Sequence, residues 1–415
     1  NENIALLELV KNSYDACSKT CDVKFFLDKD EKLEKILIKD DGIGMDRDVI
    51  ENAWLTIGTD YKKKRIKVNE CGRVPLGEKG IGRLGVHKLG NKITVISKKE
   101  NGKELKLKID WKRLDIAKEI EDFKVDIQES KNSNIIDKSG THIIIEDLKQ
   151  EWTSTKIREI YRSLNTLNNP FSSEKEIFQV NVLANSKKIF EKLPTFKEIK
   201  NNAMYQCSCK MEGFNITEFK YSFIPWESLK KIDRGREINF LDVHYRELTN
   251  KDTKERINLD SLEIGPIEFE LLIFEKDANI LNYTNLEKAS LNEYLKANSG
   301  IKIYRDNIRV NDYGENENDW LGLNLKRLNQ VGGNISTNIV IGSVKLDRLK
   351  SSALIEKTNR EGFIENNITE RDLFDTRIMN CLMPRPSEVI QTFKEYYKED
   401  SKKATKYFYD LSIAS

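Results

Sequence analysis

The first sixteen residues, NENIALLELVKNSYDA, constrain the chain more than any other stretch of comparable length. At about 100° per residue on a helix, Glu8, Asn12 and Asp15 fall within an arc of about 60°. Leu6, Leu9, Val10, Tyr14 and Cys17 occupy the opposite arc. Such a helix buries its apolar side while three short polar groups point together. A carboxylate one turn from a carboxamide can take a proton from water, while the carboxamide oxygen can ligate Mg²⁺, a hard cation that prefers oxygen. Taken alone, the same spacing also describes an amphipathic helix with a solvated face.

Composition narrows the classes. Charged residues make up 33% of the 415, yet 70 Lys and Arg nearly cancel 68 Asp and Glu, so the net charge is +2. That balance gives neither a global basic field for nucleic acid nor an acidic tail. With 17 Phe and 14 Tyr the chain is too apolar for disorder, and only 7 Pro points to long regular elements. No run of apolar residues is long enough to span a membrane, so no membrane association is expected. Six cysteines (17, 21, 71, 207, 209 and 381) form no CxxC pair and have only three histidines as partners. Neither a zinc site nor a secreted disulfide scaffold is expected, and reduced thiols in a cytoplasm are. No signal peptide is visible, and because residue 1 is Asn rather than Met, preceding sequence is expected to be missing.

Three further motifs follow the helix. Asp40-Asp41-Gly42-Ile43-Gly44-Met45 comes directly after an apolar strand, Ile36–Lys39. A carboxylate there can accept a hydrogen bond from an exocyclic amine, Gly42 and Gly44 allow close backbone approach to a flat ring, and Met45 offers adaptable apolar surface. Gly77-Glu78-Lys79-Gly80-Ile81-Gly82-Arg83-Leu84-Gly85 enters a helix expected near Arg83–Leu89. Its backbone N–H groups and the positive helix end suit phosphate. It also fits G-x-G-x-x-G, but it follows a long polar loop rather than a strand, which argues against a dinucleotide-binding oxidoreductase. No Walker Lys-Ser/Thr pair is present in it. Finally, Gly140-Thr141 opens the strand Thr141–Glu146 and can add a hydroxyl to a polar pocket floor.

In this order and over this span, the four motifs resemble the GHKL ATPases, the group of gyrase B, the heat-shock chaperone ATPase, sensor histidine kinases and MutL, with the MORC proteins as relatives. The resemblance implies an α/β sandwich that binds ATP and Mg²⁺. Glu8 would polarise the attacking water, Asn12 would ligate Mg²⁺, and Asp15 would support the same face. Asp40 would bind the adenine amine, with Gly42, Gly44 and Met45 lining the base and Thr141 beside it. Gly77, Lys79, Gly80 and Gly82 would end an ATP lid, Gly58–Gly77, and cradle the phosphates. His87 and His142 match no catalytic position and are read as structural.

The domains are expected to be a GHKL ATP-binding domain over 1–150, a transducer-like α/β domain over 151–365, and a helical tail over 366–415 whose end leaves open a longer protein. The second domain's strands are expected at Ile177–Val182, Ile267–Phe274, Ile301–Val310 and Ile335–Leu346, with helices at Trp152–Leu167 and Leu286–Lys296. Thr358-Asn359-Arg360-Glu361 resembles the chaperone middle-domain segment in which an arginine reaches ATP. That makes Arg360 the first candidate for the γ-phosphate and Lys357 the second, since gyrase and MutL use lysine. The nearest resemblance is to the MutL-, MORC- and chaperone-like two-domain members. It implies an ATPase acting as an ATP-gated homodimeric clamp in DNA maintenance or defence against foreign DNA, with nucleic acid or an effector protein as partner. The alternative is a chaperone-like ATPase acting on protein clients.

Overall fold

The computed structural model describes residues 2–54, 69–73, 76, 84–112, 126–129, 135–172, 178–226, 236–239, 247–248, 256–274, 286–310, 313–315, 318–324, 335–356, 362–363, 400 and 402. The chain divides into two compact units, residues 1–168 with 173–191, and residues 169–172 with 192–415.

The first unit opens with α1 (Glu2–Asp15), followed by the antiparallel pair β1 (Thr20–Leu27) and β2 (Leu33–Asp40). A helical turn at Arg47–Val49 is started by Asp46, whose carboxylate accepts from the Val49 N–H at 2.9 Å. Next come α2 (Leu84–Leu89), β3 (Gly90–Lys98), β4 (Leu105–Asp110), β5 (Ile127–Glu129), β6 (Gly140–Leu148), α3 (Ser154–Asn165) and β7 (Gln179–Ala184). The strands form one sheet in the order β5-β4-β3-β6-β2-β1-β7, antiparallel throughout except for the parallel pair β1–β7. Because β7 pairs with β1, this unit runs well past the expected boundary at residue 150.

Register explains the core. Alternate residues of a strand share a face, and here they align in rows across the sheet. Phe25, Ile36, Ile145, Ile93 and Ile109 make one row. Val23, Ile38, Ile143, Val95 and Leu107 make the next, and all ten residues are buried. The helix α1 buries Leu6, Leu9, Val10 and Tyr14 and packs beside α2 and α3. In α3 the buried Ile157, Ile160 and Leu164 recur at helical spacing, and Thr153 caps its start. Cys17 lies outside α1 rather than on its apolar face.

The second unit contains α4 (Phe196–Asn201), which starts on a capping box between Thr195 and Glu198. Its other elements are β8 (Tyr205–Glu212), β9 (Asn215–Phe223), β10 (Arg236–Asn239), β11 (Ile267–Ile273), α5 (Lys288–Asn298), β12 (Gly300–Arg305), β13 (Ile308–Val310) and β14 (Val340–Leu346). Its sheet runs β10-β9-β8-β11-β14-β12-β13. The expected strand Ile301–Val310 is a hairpin of β12 and β13, turned at Asp306 and Asn307, both with positive φ. Every residue of β12 is buried, including Lys302, whose ammonium donates to the Asn298 and Ser299 carbonyls at the end of α5. Burial pushes that amine down to about 7. The expected helical tail falls almost wholly outside the described residues. Asp400 and Lys402 are helical, and the buried Asp400 carboxylate accepts from the Tyr221 hydroxyl at 3.1 Å.

Ile145 is fully buried in the middle of the first sheet. Ile145→Ala is expected to destabilise the first unit by about 2–5 kcal/mol through lost transfer energy and a residual cavity, read as a shift in denaturant midpoint.

Candidate functional site

A third row crosses the same face beside the two apolar ones, and it is polar. Cys21 on β1 pairs with Asp40 on β2, Asp40 with Thr141 on β6, and Thr141 with Ser97 on β3. All four are buried. Asp40 Oδ1 accepts from the Gly42 N–H at 3.0 Å and the Thr141 N–H at 3.2 Å, while Oδ2 accepts from the Ser13 hydroxyl at 3.1 Å. Ser97 and Thr141 share a hydroxyl–hydroxyl bond of 2.9 Å, and Ser97 also accepts from the Met45 N–H at 2.9 Å. A carboxylate offers about four acceptor positions, so three donors leave one for a further N–H. Burial pushes the Asp40 carboxyl up to about 6, against the pull of its bonds to Gly42, Ser13 and Thr141.

The loop after β2 is held from both sides. Asp41 accepts from the Lys19 and Thr20 N–H groups, each at 2.8 Å, and Ile43 donates to the Ala16 carbonyl at 2.8 Å. Gly44 has φ +69°, and a Cβ there would overlap the Lys98 carbonyl. A Cβ on Gly42 would meet the Ala16 carbonyl. These glycines therefore let the loop close on α1 and β3, a requirement set within the protein itself.

On α1, Glu8, Asn12 and Asp15 are all partly exposed, with Glu8 3.9 Å from the buried Lys11 ammonium. Asp15 is already engaged, since Oδ1 accepts from the Leu76 N–H at 2.6 Å and its carbonyl accepts from Asn69 Nδ2 at 3.2 Å. Arg73 donates to the carbonyls of Tyr14 at 3.2 Å and Ser18 at 2.7 Å, with its guanidinium 4.6 Å from the Tyr14 ring centre. Segment 69–73 is thus strapped across the end of α1. The strap is also covalent: Cys17 and Cys71 form a disulfide, with Cα atoms 5.8 Å apart. This corrects the expectation of reduced thiols throughout, because the fold brings together two cysteines 54 residues apart.

Gly77, Lys79, Gly80, Gly82, Lys357 and Arg360 lie outside the described residues. The ends of the Lys357–Arg360 segment are described: Glu356 and Phe363 form an isolated antiparallel bridge, and Glu356 takes ion pairs from Arg305 and Arg348. His87 contacts Lys149 at 2.8 Å and the Trp111 ring, and His142 lies buried on β6. Ser13, Ser97 and Arg73 carry no sequence motif, and Asp41, though inside the Asp40–Met45 motif, had no role assigned to it.

The donor set suits a purine nucleotide. Asp40 keeps acceptor capacity for an exocyclic amine, and Asn12 and Glu8 offer oxygen ligands one helical turn apart. Among the described residues no group of three or more His, Cys, Asp or Glu could hold a metal ion. A Mg²⁺ ion would therefore draw most of its oxygen ligands from phosphates and water, its usual habit.

Residues 1–141 match the family model described as histidine kinase-, DNA gyrase B- and HSP90-like ATPase. The match covers about a third of the chain and supports a likeness of that stretch to the GHKL superfamily, whose general activity is ATP binding and hydrolysis. Residues 303–415 match a second model, the N-terminal domain of galactose-1-phosphate uridyl transferase. Short stretches are correspondingly similar to galactose-1-phosphate uridylyltransferases. The enzyme of Clostridium acetobutylicum is 57% identical over 56 residues, covering 14% of this chain and 11% of that protein. That of Caldanaerobacter subterraneus subsp. tengcongensis is 56% identical over 55 residues, covering 13% and 11%. That of Butyrivibrio fibrisolvens is 45% identical over 76 residues, covering 18% and 19%. The chain thus spans only 11% to 19% of the length of these relatives. Among the described residues no helix is long and apolar enough to cross a membrane.

Asp40 gives two opposed pH effects. Its folded value of about 6 lies above the ordinary 3.8, so its contribution to stability is complete below about 3.8 and is lost as pH rises through about 6. That loss is on the order of 3 kcal/mol. The melting temperature of the wild type relative to Asp40→Asn is expected to rise between pH 7.5 and 5, the difference cancelling other titrating groups. Adenosine affinity is expected to move the other way, falling by up to roughly tenfold per pH unit below 6 as the acceptor protonates. Asp40→Asn should fold at least as stably at pH 7 yet lose adenosine binding. Gly44→Ala should destabilise the unit by about 2–4 kcal/mol, because left-handed φ and overlap add, read by thermal unfolding.

Proposed function

We propose that the protein is a Mg²⁺-dependent ATPase in which Asp40 reads adenine and Glu8 activates the attacking water. The observation that carries this reading is the buried polar row of Asp40, Thr141 and Ser97, set in a segment that matches an ATPase family. Asp40 accepts the exocyclic amine in its remaining lone pair, and Thr141 and Ser13 hold the carboxylate in place through their own bonds to it. Asn12, one turn from Glu8, supplies an oxygen toward Mg²⁺. Held there, Mg²⁺ would supply neutralisation of phosphate charge. Glu8 holds the water and accepts its proton. Met45 lines the base on a loop fixed by the bond between its N–H and Ser97.

Lys79 and the glycines 77, 80 and 82 are proposed to cradle the phosphates, and Arg360, or Lys357 in its place, to meet the γ-phosphate. Closing of these groups around ATP would bias a two-state equilibrium, which is the basis for reading the protein as an ATP-gated homodimeric clamp. DNA maintenance or defence against foreign DNA is the proposed setting. Transferase activity is not part of the proposal. The transferase-like match begins at residue 303, inside β12, so it shares a sheet with β8, β9, β10 and β11, which lie outside the match.

Glu8→Ala is expected to lower the steady-state ATPase rate by about 10²–10⁴-fold while changing ATP affinity by less than a few-fold. Hydrolysis at the wild-type rate with normal binding would remove Glu8 from the reaction. Stimulation by duplex DNA that falls steeply with salt would assign a nucleic-acid partner. Stimulation by unfolded protein but not by DNA would assign the chaperone-like role instead.

A further inference from the structure

The junction between α1 and segment 69–73 holds more than a structural strap requires. The helix ends in a Schellman arrangement, with Ser18 N–H bonded to the Ser13 carbonyl at 3.2 Å and Cys17 N–H to the Tyr14 carbonyl at 3.0 Å. The residue at the left-handed position of that motif is Cys17, with φ 62°. Glycine is the ordinary occupant, because an L side chain is strained there. Here the position carries a thiol instead, and that thiol is bonded to Cys71.

Four further observations separate this bond from a simple staple. Cys71 is exposed, so a reductant can reach it. The remaining described cysteines, Cys21, Cys207 and Cys209, are buried and outside any disulfide. The unit has two continuous apolar rows across its sheet and does not need a cross-link to hold its core. Once reduced, the Cys71 thiol also has an acceptor waiting, because its sulfur lies 3.1 Å from Asn69 Oδ1. Exposed disulfides are the reducible, regulatory kind, and those of reducing compartments are commonly redox sensors.

We propose that Cys17 and Cys71 form a redox latch that couples the thiol state to nucleotide binding. Oxidised, the pair pins Asn69–Arg73 across the end of the helix that carries Glu8, Asn12 and Asp15. The Leu76 N–H then stays on the Asp15 carboxylate, so this side of the site is ordered before nucleotide arrives. Reduced, the covalent tie is lost and non-covalent contacts such as the Arg73 and Asn69 hydrogen bonds are left, so the segment detaches more often and binding must supply the ordering. Opening transfers two electrons and two protons from a dithiol, which becomes a cyclic disulfide, to the S–S bond, which becomes two thiols. Closing is the reverse, with a disulfide such as oxidised glutathione as acceptor. The mechanical part stands on the junction alone, whereas its effect on binding rests on the ATPase reading.

The test uses the full chain treated with oxidised glutathione or with dithiothreitol, alongside Cys71→Ser and Cys17→Gly. Glycine keeps the left-handed backbone while removing the thiol. Peptide mapping without reductant should find the 17–71 cross-link after oxidation. Hydrogen exchange of the peptide spanning 69–73 should speed up on reduction of the wild type. Affinity for a non-hydrolysable ATP analogue should fall at least about fivefold, the lower end of ordinary coupling between sites. Both variants should resemble the reduced wild type and ignore dithiothreitol. Absence of the cross-link, equal exchange and affinity in the two states, or a response of Cys71→Ser to dithiothreitol like that of the wild type would each overturn the latch. A chain that binds no nucleotide in either state would overturn the ATPase reading and the coupling with it. The exchange difference would still decide whether the latch exists.

Discussion

A carboxylate withdrawn from water at the end of an apolar sheet is the constraint on which the first unit depends. Asp40 occupies the row next to ten buried apolar side chains, where an ionised group is tolerated only with several donors. Each donor comes from a different element: Ser13 from α1, Gly42 from the loop after β2, and Thr141 from β6. Satisfying one buried charge therefore sets the height of the helix over the sheet, the path of the loop and the register of β6. The row continues to Ser97, which fixes the same loop through Met45. On the proposed reading of Asp40, recognition and folding use the same bonds, so the group that would bind an exocyclic amine is also one that weakens the empty fold at neutral pH.

The apolar rows were legible in the sequence because each strand carries its own alternation. The expected strands Ile36–Lys39 and Thr141–Glu146 fall within β2 and β6, whose ends lie within three residues of theirs. β5, with three residues, is too short to leave a pattern. β8 does alternate, but its inward residues are Tyr205, Cys207, Cys209 and Met211, two of the four being cysteines with little strand preference. The parallel pair β1–β7 joins segments about 160 residues apart, and nothing local announces it.

At the site the same division holds. Glu8, Asn12, Asp40 and Thr141 stand in spacings that a helix or a strand end explains, so they could be picked out one by one. Ser13 and Ser97 could not, since each is a lone serine whose role exists only through cross-strand register and helix height. Asp15 was legible as part of a polar face, but its bond to Leu76 was not, because a loop of some sixty residues intervenes. The disulfide was hidden for the same reason: no spacing rule connects two cysteines across a long polar segment, and only the fold brings their Cα atoms within bonding range.

The pairing of β7 with β1 bears on how the first unit can be handled by itself. The family match ends at residue 141, and a fragment cut there, or at residue 150, would lack both α3 and β7. Thr20–Leu27 would then become the sheet's rim, with a row of unpaired N–H and C=O groups, and Phe25 would lose its ring contact with Trp152. Such a rim is a template for strand addition by another copy. The Leu27 N–H and carbonyl would also lose Asn185, whose carboxamide bonds both at 2.8 Å. A soluble, monomeric fragment should extend through Glu191, fifty residues beyond the point at which family resemblance stops.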